Sequence, residues 1–266
     1  LVDRQLDAGV HGLVPCGTTG ETPALEPEEW ETLVGIAVDA AGGRVPVVPG
    51  TGTNNTAKTV ARTRRARELG ADAALVVTPY YNKPNTEGLV AHYRRVAEQG
   101  GLPVVVYNVP SRTGRNVTPV ELMRIAGIDG VVAVKEAAGS LVQAQQIVRQ
   151  RPETLAVLSG EDPVTCAMVL LGADGVISVV SNVDPAGTVR MVEAARQGDA
   201  GTARGEHYRL QPLVEALFAE TNPVPVKKAL SLLGLCGETM RPPLAPASDG
   251  TTSMLREALA PLGIQG

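Results

Sequence analysis

VVAVKE, at residues 131–136, decides the fold, because an apolar run of strand length ends there in a lysine and a glutamate. Such a near-continuous apolar run predicts a parallel strand that is covered on both faces. A second run of this kind, PVVVY at residues 103–107, ends in a tyrosine. We therefore predict two neighbouring parallel strands whose carboxyl ends present Lys135 and Tyr107 at the same edge of a sheet.

Similar apolar runs recur along the chain and alternate with stretches of helical spacing. The runs lie near 10–15, 45–49, 74–78, 103–107, 131–135, 155–158 and 175–180. The helical stretches lie near 27–41, 56–69, 86–98, 118–127, 140–150 and 162–171. This alternation predicts an α/β protein with a parallel sheet, either an open doubly wound sheet or a closed (β/α)8 TIM barrel.

A TIM barrel has eight strands, one more than the apolar runs supply. The chain opens on helical spacing, with Val2 and Leu6 on one side, that leads into the run near 10–15. We therefore expect the first strand of the barrel to lie before Leu1, outside this sequence. After residue 198 only helical segments follow, near 200–220, 225–234 and 251–261. The sequence thus predicts a barrel domain over 1–198 and a C-terminal three-helix region over 199–266.

Composition excludes several classes of function. The chain is 44% hydrophobic and only 3% aromatic, so Val, Ala and Leu must fill its core. A net charge of −4 gives no electrostatic basis for binding nucleic acid or an anionic membrane. No apolar stretch approaches the roughly 20 residues of a membrane span. The three cysteines are far apart and form no CxxC pair, which favours a reducing compartment, the cytoplasm, without disulfides.

The chemistry that these residue types allow centres on Lys135. A buried lysine is rare, and burial away from water favours the neutral amine, which is a nucleophile for carbonyl carbons. Arg112 follows Tyr107 in the next loop and could grip a carboxylate with both nitrogens, although a surface arginine is the commoner fate. His11, His92 and His207 share no ligand spacing, so we predict no catalytic metal.

Two glycine-rich stretches leave their roles open. GTTGE at 17–21 follows an apolar run, and its backbone N–H groups and hydroxyls suit a carboxylate or phosphate, although an ordinary turn is an alternative. GTGTNN at 50–55 lacks the spacing of a dinucleotide-binding loop, so a plain turn is the better interpretation.

Six motifs together resemble one family. They are GTTGE at 17–21, PYYNKP at 79–84, YNVPSRTG at 107–114, VKEAAGS at 134–140, SGED at 159–162 and NPVPVKKAL at 222–230. In combination they are similar to the dihydrodipicolinate synthase family, within the N-acetylneuraminate lyase superfamily of class I aldolase barrels. The resemblance runs over residues 1–266.

The resemblance implies a role for each matching residue. Lys135 is expected to form an imine with pyruvate, and Tyr107 to move protons as the imine becomes an enamine. Thr18 is expected to link Tyr107 to Tyr81 in a proton relay, with Tyr81 reaching into the site of a neighbouring subunit. The remaining roles are substrate binding: Thr19 for the pyruvate carboxylate, Arg112 for the carboxylate of the second substrate, and Gly160 and Ile177 as the pocket wall around the imine.

The implied reaction condenses pyruvate with L-aspartate 4-semialdehyde to give 4-hydroxy-tetrahydrodipicolinate, on the way to diaminopimelate and lysine. It needs no cofactor beyond the covalent pyruvate imine, and it implies a homodimer or homotetramer. Arg112 distinguishes this reading from sialic acid and sugar-acid lyases of the same superfamily, which remain an alternative. A non-catalytic sensor of a small keto acid is a further alternative from another class.

The sequence departs from the family in two places. The first is the opening strand, without which a barrel has an open seam of unpaired backbone groups. The second is the site through which lysine inhibits sensitive members, where His and Glu are typical. Pro27, Trp30 and Lys58 occupy the matching positions here, while Asn54 and Tyr80 remain. Because Lys58 repels the ammonium group of lysine, we predict weak or no inhibition by lysine.

Overall fold

A computed structural model describes residues 1–264, and it contains a parallel sheet of five strands in sequential order. The strands are β1 Ala74–Val77, β2 Val104–Asn108, β3 Val131–Glu136, β4 Ala156–Ser159 and β5 Gly175–Val176. All four strand pairs are parallel. The strands are rich in valine and alanine, small side chains that suit a sheet covered on both faces.

The predicted strands near 10–15 and 45–49 are wrong as strands, although their order is right. Neither segment forms a continuous strand: they take part in the isolated parallel bridges Leu13–Val47 and Gly50–Leu75, which backbone hydrogen bonds support. Prolines at 15, 46 and 49 explain this, because proline has no amide hydrogen to give to a ladder. The two segments nevertheless extend the sheet beyond β1 in the predicted sequence.

The two glycines of GTGTNN lie where backbone segments pass close to each other. An added Cβ at Gly50 would lie 2.1 Å from the carbonyl oxygen of Cys16, and one at Gly52 would lie 2.3 Å from the amide nitrogen of Val77. Both glycines are therefore needed where backbone segments cross closely.

The helices surround the sheet and account for most of the predicted helical stretches. They are α1 Val2–Asp7, α2 Pro27–Ala41, α3 Thr56–Glu68, α4 Thr86–Gly100, α5 Pro110–Thr113, α6 Pro119–Ala126, α7 Leu141–Gln150, α8 Asp162–Leu170, α9 Pro185–Arg196, α10 Ala200–Leu217, α11 Val224–Leu232 and α12 Asp249–Leu259. Capping boxes begin α2 and α6, and both helices carry proline in the first turn. The sequence prediction did not include α5 or α9.

The predicted strand near 175–180 is too long. It ends at Val176, and a 3-10 helix occupies Val180–Asn182. The cause is Asp162 at the start of α8, whose carboxylate accepts hydrogen bonds from the amides of Val179 and Val180 at 2.8 and 3.3 Å. These amides bond a side chain instead of a neighbouring strand.

Alternation along the strands separates two apolar layers. On β2, Val104 and Val106 face outward into the layer between sheet and helices. Val105 and Tyr107 face inward, where they pack with Leu75. The inward layer is the interior of the barrel, so the side chains at its carboxyl edge face a common space.

The sheet is open between β5 and the segment around Leu13, which share no bridge within residues 1–264. Helix α1 instead forms hydrogen bonds with the segment that follows β5. Arg4 donates to the carbonyls of Asn182 and Val183 at 2.9 and 2.7 Å, and Gln5 donates to that of Ser181 at 2.9 Å.

The C-terminal helices are continuous with the barrel. Helix α10 packs along α9, and residues of α8, α9, α10, α11 and α12 share one apolar cluster. The division at residue 198 stays a prediction, and residues 265 and 266 of the predicted region lie outside the described residues. No helix in the described part of the chain is long and apolar enough to cross a membrane.

Candidate active site

The register of β2 and β3 places Tyr107 directly beside Lys135, as the two strand ends predict. The lysine Nζ lies 4.4 Å from the centre of the tyrosine ring. Lys135 and Tyr107 are only 8% and 6% exposed. Within residues 1–264 the Lys135 amine forms no ion pair, and the face of the Tyr107 ring is its close neighbour.

The GTTGE stretch forms a tight loop beside this pair. Thr18–Gly20 is a 3-10 helix, and Glu21 after it has a left-handed backbone with φ of 53°. The Thr22 hydroxyl fixes the loop by donating to the carbonyls of Cys16 and Gly17. The loop is thereby shaped by its own residues, which leaves the hydroxyls of Thr18 and Thr19 at the cavity wall.

Arg112 reaches the same space from α5. Its Nη2 donates to the backbone carbonyl of Asn222 at 3.0 Å. The side chain of Asn222 bonds the Thr19 hydroxyl, with Nδ2 3.0 Å from Oγ1. Two carboxylate-binding candidates are therefore joined through one residue of the C-terminal region.

Gly160 and Ile177 follow the ends of β4 and β5. The amide of Gly160 donates to the carbonyl of Glu136 at 2.7 Å, and that of Ile177 donates to Ser159 at 2.9 Å. A Cβ at Gly160 would lie 2.7 Å from the Cβ of Ala137 and 3.0 Å from Cε of Lys135. Because Gly160 has no side chain, a space remains next to the Lys135 side chain.

One cavity of about 1000 Å³ collects most of the predicted site residues. It runs from the carboxyl edge of the sheet to α1, and its wall includes Thr18, Thr19, Tyr107, Arg112, Lys135, Gly160 and Ile177. Tyr81 is not in that wall. It is 88% exposed, in a loop where its own backbone and that of Lys83 are left-handed, with φ of 68° and 42°.

The predicted hydroxyl relay is not joined within residues 1–264. Tyr107 is anchored by its backbone, whose carbonyl accepts from the Thr78 hydroxyl at 3.0 Å. No hydrogen bond in that part of the chain connects the hydroxyls of Tyr107, Thr18 and Tyr81. The roles of these three groups stay predictions.

A separate polar network lies on the outer side of the same strand ends. The Glu136 carboxylate accepts from Asn108 Nδ2 at 3.0 Å, from Gln143 Nε2 at 3.2 Å and from the amide of Ala138 at 2.9 Å. Burial raises the pKa of Glu136, while these hydrogen bonds oppose the shift. The network fixes the loop after β3 and so holds Lys135 in place.

Sequence reasoning assigned no role to two carboxyl groups that follow Gly160 in the chain. Glu161 lines the cavity, and burial together with the neighbouring Asp162 raises its pKa. Asp162 is buried; burial raises its pKa, and the charge of Lys135 opposes that effect. The SGED motif was the available signal, because it places two acids directly after Gly160 at a strand end.

Among residues 1–264, no three His, Cys, Asp or Glu side chains come together as metal ligands. The cavity wall itself presents an amine, hydroxyls, a guanidinium and the Glu161 carboxyl. These groups suit a small carboxylic acid that carries a carbonyl carbon.

The fold and the cavity define a TIM-barrel protein of the α/β class, with a buried lysine at the carboxyl edge of the sheet. A model of the "Dihydrodipicolinate synthetase family" matches residues 1–261. The chain belongs to this family, and the resemblance that the six motifs indicate is confirmed.

Proteins with similar sequences and similar solved structures are named as synthases of the same kind. The 4-hydroxy-tetrahydrodipicolinate synthase of Thermomicrobium roseum is 51% identical over 260 residues, which are 98% of this chain and 86% of that one. The dihydrodipicolinate synthase crystal structure of Thermotoga maritima is 45% identical with a TM-score of 0.96, covering 98% of this chain and 90% of that one. A chloride-inhibited synthase of Acinetobacter baumannii, complexed with pyruvate, is 38% identical with a TM-score of 0.97 and coverages of 99% and 90%. These similarities confirm the predicted fold class.

Proposed function

We propose that this chain condenses pyruvate with L-aspartate 4-semialdehyde to give 4-hydroxy-tetrahydrodipicolinate, as a lyase of lysine and diaminopimelate biosynthesis. The observation that carries the proposal is the Lys135 amine, buried against Tyr107 in a cavity that Thr19 and Arg112 also line. The name of a relative that is 51% identical supports the same reaction.

The first step forms the imine. The Lys135 amine attacks the keto carbon of pyruvate, and loss of water leaves a carbon–nitrogen double bond. Thr19 would hold the pyruvate carboxylate through its hydroxyl and backbone N–H, next to the amine. Gly160 leaves the space for the adduct because any side chain there would meet Lys135.

The second step moves protons. The imine withdraws electrons and acidifies the methyl group of pyruvate, so a hydroxyl relay can take a proton and produce the enamine. Tyr107 stands beside the amine for this purpose, with Thr18 in the same cavity wall. Tyr81 would complete the relay from a second subunit, since its side chain is exposed and does not line the cavity of its own chain. A homodimer is then the minimum active unit, and a homotetramer would pair two of them.

The third step joins the substrates. The enamine carbon attacks the aldehyde of the second substrate, whose carboxylate Arg112 would bind. The amine of that substrate then attacks the imine carbon and releases Lys135, which closes the ring. Ile177 would shape the wall opposite the reacting carbons. Every bond change uses groups of the chain and its substrates, so we propose no metal and no external cofactor. The cysteines at 16, 166 and 236 are free thiols, which suits a cytoplasmic enzyme.

Borohydride trapping tests the proposal. The protein is incubated with pyruvate, reduced, and analysed by peptide mass spectrometry, followed by an assay with aspartate semialdehyde. We expect one reduced pyruvate on Lys135 and turnover with this aldehyde. An adduct without turnover would support the sensor alternative, and an adduct with turnover of a different aldehyde would support another lyase. A folded chain that forms no adduct would exclude the proposed mechanism.

A further inference from the structure

Asn222 is the point where the C-terminal helices enter the candidate active site. It lies in the loop between α10 and α11, it is only 8% exposed, and it lines the cavity. The NPVPVKKAL motif begins at this residue, and none of the roles proposed above uses it.

The side chain of Asn222 sets the direction of the Thr19 hydroxyl. Nδ2 lies 3.0 Å from Thr19 Oγ1, whereas Oδ1 lies 3.4 Å from it. At these distances the amide donates and the hydroxyl oxygen accepts. The hydroxyl hydrogen reaches Oδ1 only over the longer contact of 3.4 Å, so the carboxylate of a ligand in the cavity can compete for it.

The backbone of Asn222 holds the second group. Its carbonyl accepts from Nη2 of Arg112 at 3.0 Å. A guanidinium has five N–H donors, so four of them remain available after this bond. Arg112 is exposed at the mouth of the cavity, and the Asn222 carbonyl restricts where its fork can point.

The loop that carries Thr19 is tied to the same C-terminal region at a further residue. Glu21 forms an ion pair with Lys227 on α11, and it accepts a hydrogen bond from the amide of Arg241 at 2.8 Å. These contacts fix the loop and the C-terminal helices relative to each other. A movement of Asn222 would therefore be passed to Thr19 and not absorbed by the loop.

We propose that Asn222 is a positioning residue that aims the Thr19 hydroxyl and the Arg112 guanidinium at the carboxylates of the two substrates. The inference rests on the proposed function, since it assigns the two carboxylates to pyruvate and to the second substrate. It makes the C-terminal helices part of the substrate site, because they supply the group that joins its two anion-binding elements.

Side-chain variants separate the two contacts. Asn222→Ala removes the amide but keeps the backbone carbonyl, so Thr19 loses its partner while Arg112 keeps its own. We expect the pyruvate concentration for half-maximal trapping to rise about threefold to tenfold, the range for one lost hydrogen bond. The KM for aspartate semialdehyde and kcat should change less than that.

Asn222→Asp keeps the size of the side chain but reverses its polarity toward Thr19. The carboxylate accepts the hydroxyl hydrogen and repels an incoming carboxylate, so pyruvate binding should weaken more than in Asn222→Ala. A purely structural role predicts the opposite order, because the isosteric variant disturbs packing less. Asn85→Asp is the matched control: it makes the same change at the exposed N-cap of α4 and should leave trapping unaltered.

A double-mutant cycle with Thr19→Val tests the route. If Asn222 acts through Thr19, Asn222→Ala adds little to the pyruvate defect of Thr19→Val. Additive defects, or half-maximal trapping unchanged in both Asn222 variants, would overturn the proposal while the adduct on Lys135 in the unaltered chain keeps the proposed function. Absence of the adduct in the unaltered chain would count against the function itself. Melting temperatures accompany each variant, and Asn222→Asp carries the comparison if Asn222→Ala does not fold.

Discussion

The two sides of the strand ends of β2 and β3 differ in how their polar groups are bonded. On the cavity side, Lys135 lies against the ring of Tyr107 and forms no ion pair within residues 1–264. On the outer side, the next residue along β3, Glu136, accepts hydrogen bonds from Asn108, Gln143 and the amide of Ala138. Two adjacent residues of β3 thus face opposite sides of the sheet. The carboxylate of Glu136 has several hydrogen-bond partners, whereas the amine of Lys135 has no ion-pair partner in the described part of the chain.

This difference separates the side chain that is proposed to react, Lys135, from the hydrogen-bonded side chains that stabilise the strand ends. A buried polar group that is fully bonded stabilises the fold, while one that is left without partners costs stability and is available to a ligand. The outer network holds the loop after β3, and the cavity side leaves the Lys135 amine without an ion pair, as the proposed reaction requires. Substitutions on the two sides should therefore affect different quantities.

The largest effect is expected for Lys135→Met, which keeps an unbranched chain of similar length and removes the amine. The variant should form no borohydride adduct, and kcat should fall roughly a thousandfold or more because the covalent step is lost. The free energy of unfolding should stay the same or rise, because an unpaired buried amine is replaced by an apolar group. Trapping and a denaturant melt measure the two quantities.

Lys228→Met is the control for this prediction. Lys228 forms an ion pair with Glu238 in the C-terminal region and does not line the cavity. The adduct should form normally in the control. A Lys135→Met protein that still traps pyruvate would place the reactive amine elsewhere.

Glu136→Ala should show the opposite pattern. It removes the acceptor of three donors, and leaving buried donors unsatisfied should lower the free energy of unfolding by about 2–4 kcal/mol. The adduct on Lys135 should still form below the lowered melting temperature. The contrary result is a Glu136→Ala protein that loses trapping while it stays as stable as the unaltered chain. That result would contradict the assignment of a stabilising role to Glu136 and a reactive role to Lys135.

Much of the sheet could be predicted from the sequence, because buried parallel strands leave an apolar run of their own length. The runs that become β1 to β4 were placed within one or two residues of their observed bounds. The runs near 10–15 and 45–49 failed because their prolines cannot complete a ladder, and β5 was too long because Asp162 captures the amides after it. No local sequence pattern predicts that a side chain distant in sequence accepts hydrogen bonds from the amides after a strand.

The pH dependence of stability gives a second contrast, between Glu121 on α6 and Glu161 at the cavity. Burial raises the pKa of Glu121, but hydrogen bonds from Arg115, Thr86 and Thr118 outweigh it and hold that pKa at about 2. The Glu161 carboxyl has its pKa raised by burial and by Asp162. The pKa of Glu121 is thus shifted below its ordinary value, and that of Glu161 is shifted above it.

Glu121→Gln should therefore cost stability that depends on pH. A lowered pKa in the folded state adds stability above the unfolded value of about 4.3, and that stability is lost as the pH falls toward about 2. We expect a loss of about 1–3 kcal/mol at pH 7 that shrinks steadily below pH 4, measured by urea unfolding. A loss that is the same at pH 7 and pH 3 would show that the charge of Glu121 is not what stabilises α6.

The sequence predicts which side chains line the cavity better than it predicts the hydrogen bonds that orient them. Lys135, Tyr107 and Arg112 follow strand ends, and the carboxyl ends of parallel strands meet at one edge, so their proximity follows from topology. Asn222 contacts Thr19 from more than half the chain away, and no spacing rule connects the two. Tyr81 is exposed and does not line the cavity of its own chain, so its proposed role depends on a partner subunit.

Gly160→Ala tests how closely the cavity fits the amine. The added methyl would lie 2.7 Å from the Cβ of Ala137 and 3.0 Å from Lys135, so it should crowd the adduct. We expect trapping to slow by about tenfold, which corresponds to roughly 1.4 kcal/mol. Gly35→Ala on α2 is the control: no atom lies within 4 Å of its Cβ, so it should trap pyruvate normally and gain about 0.5–1 kcal/mol of stability. Normal trapping in both variants would remove Gly160 from the pocket wall.

The smallest effect is expected from lysine, which should inhibit weakly or not at all. The structure adds a second cation to the one at Lys58, because the Arg62 guanidinium lies 5.1 Å above the ring of Trp30. Trp30 is itself buried, with Nε1 donating to the carbonyl of Gly50 at 3.0 Å, so it fills space that a ligand would need. Two cations, Lys58 and Arg62, should together repel the ammonium group of lysine.

Reversing one of these charges sharpens the prediction. Lys58→Glu should make inhibition by lysine detectable, whereas Arg149→Glu, the same reversal at an exposed position on α7, should not. Steady-state rates over a lysine series at fixed ionic strength measure both variants against the unaltered chain. Half-inhibition of the unaltered chain at submillimolar lysine would contradict the prediction, and it would mean that Asn54 and Tyr80 bind lysine strongly enough to overcome both cations. Equal insensitivity in Lys58→Glu would instead assign the exclusion to the buried Trp30, since a steric obstacle does not respond to a change of charge.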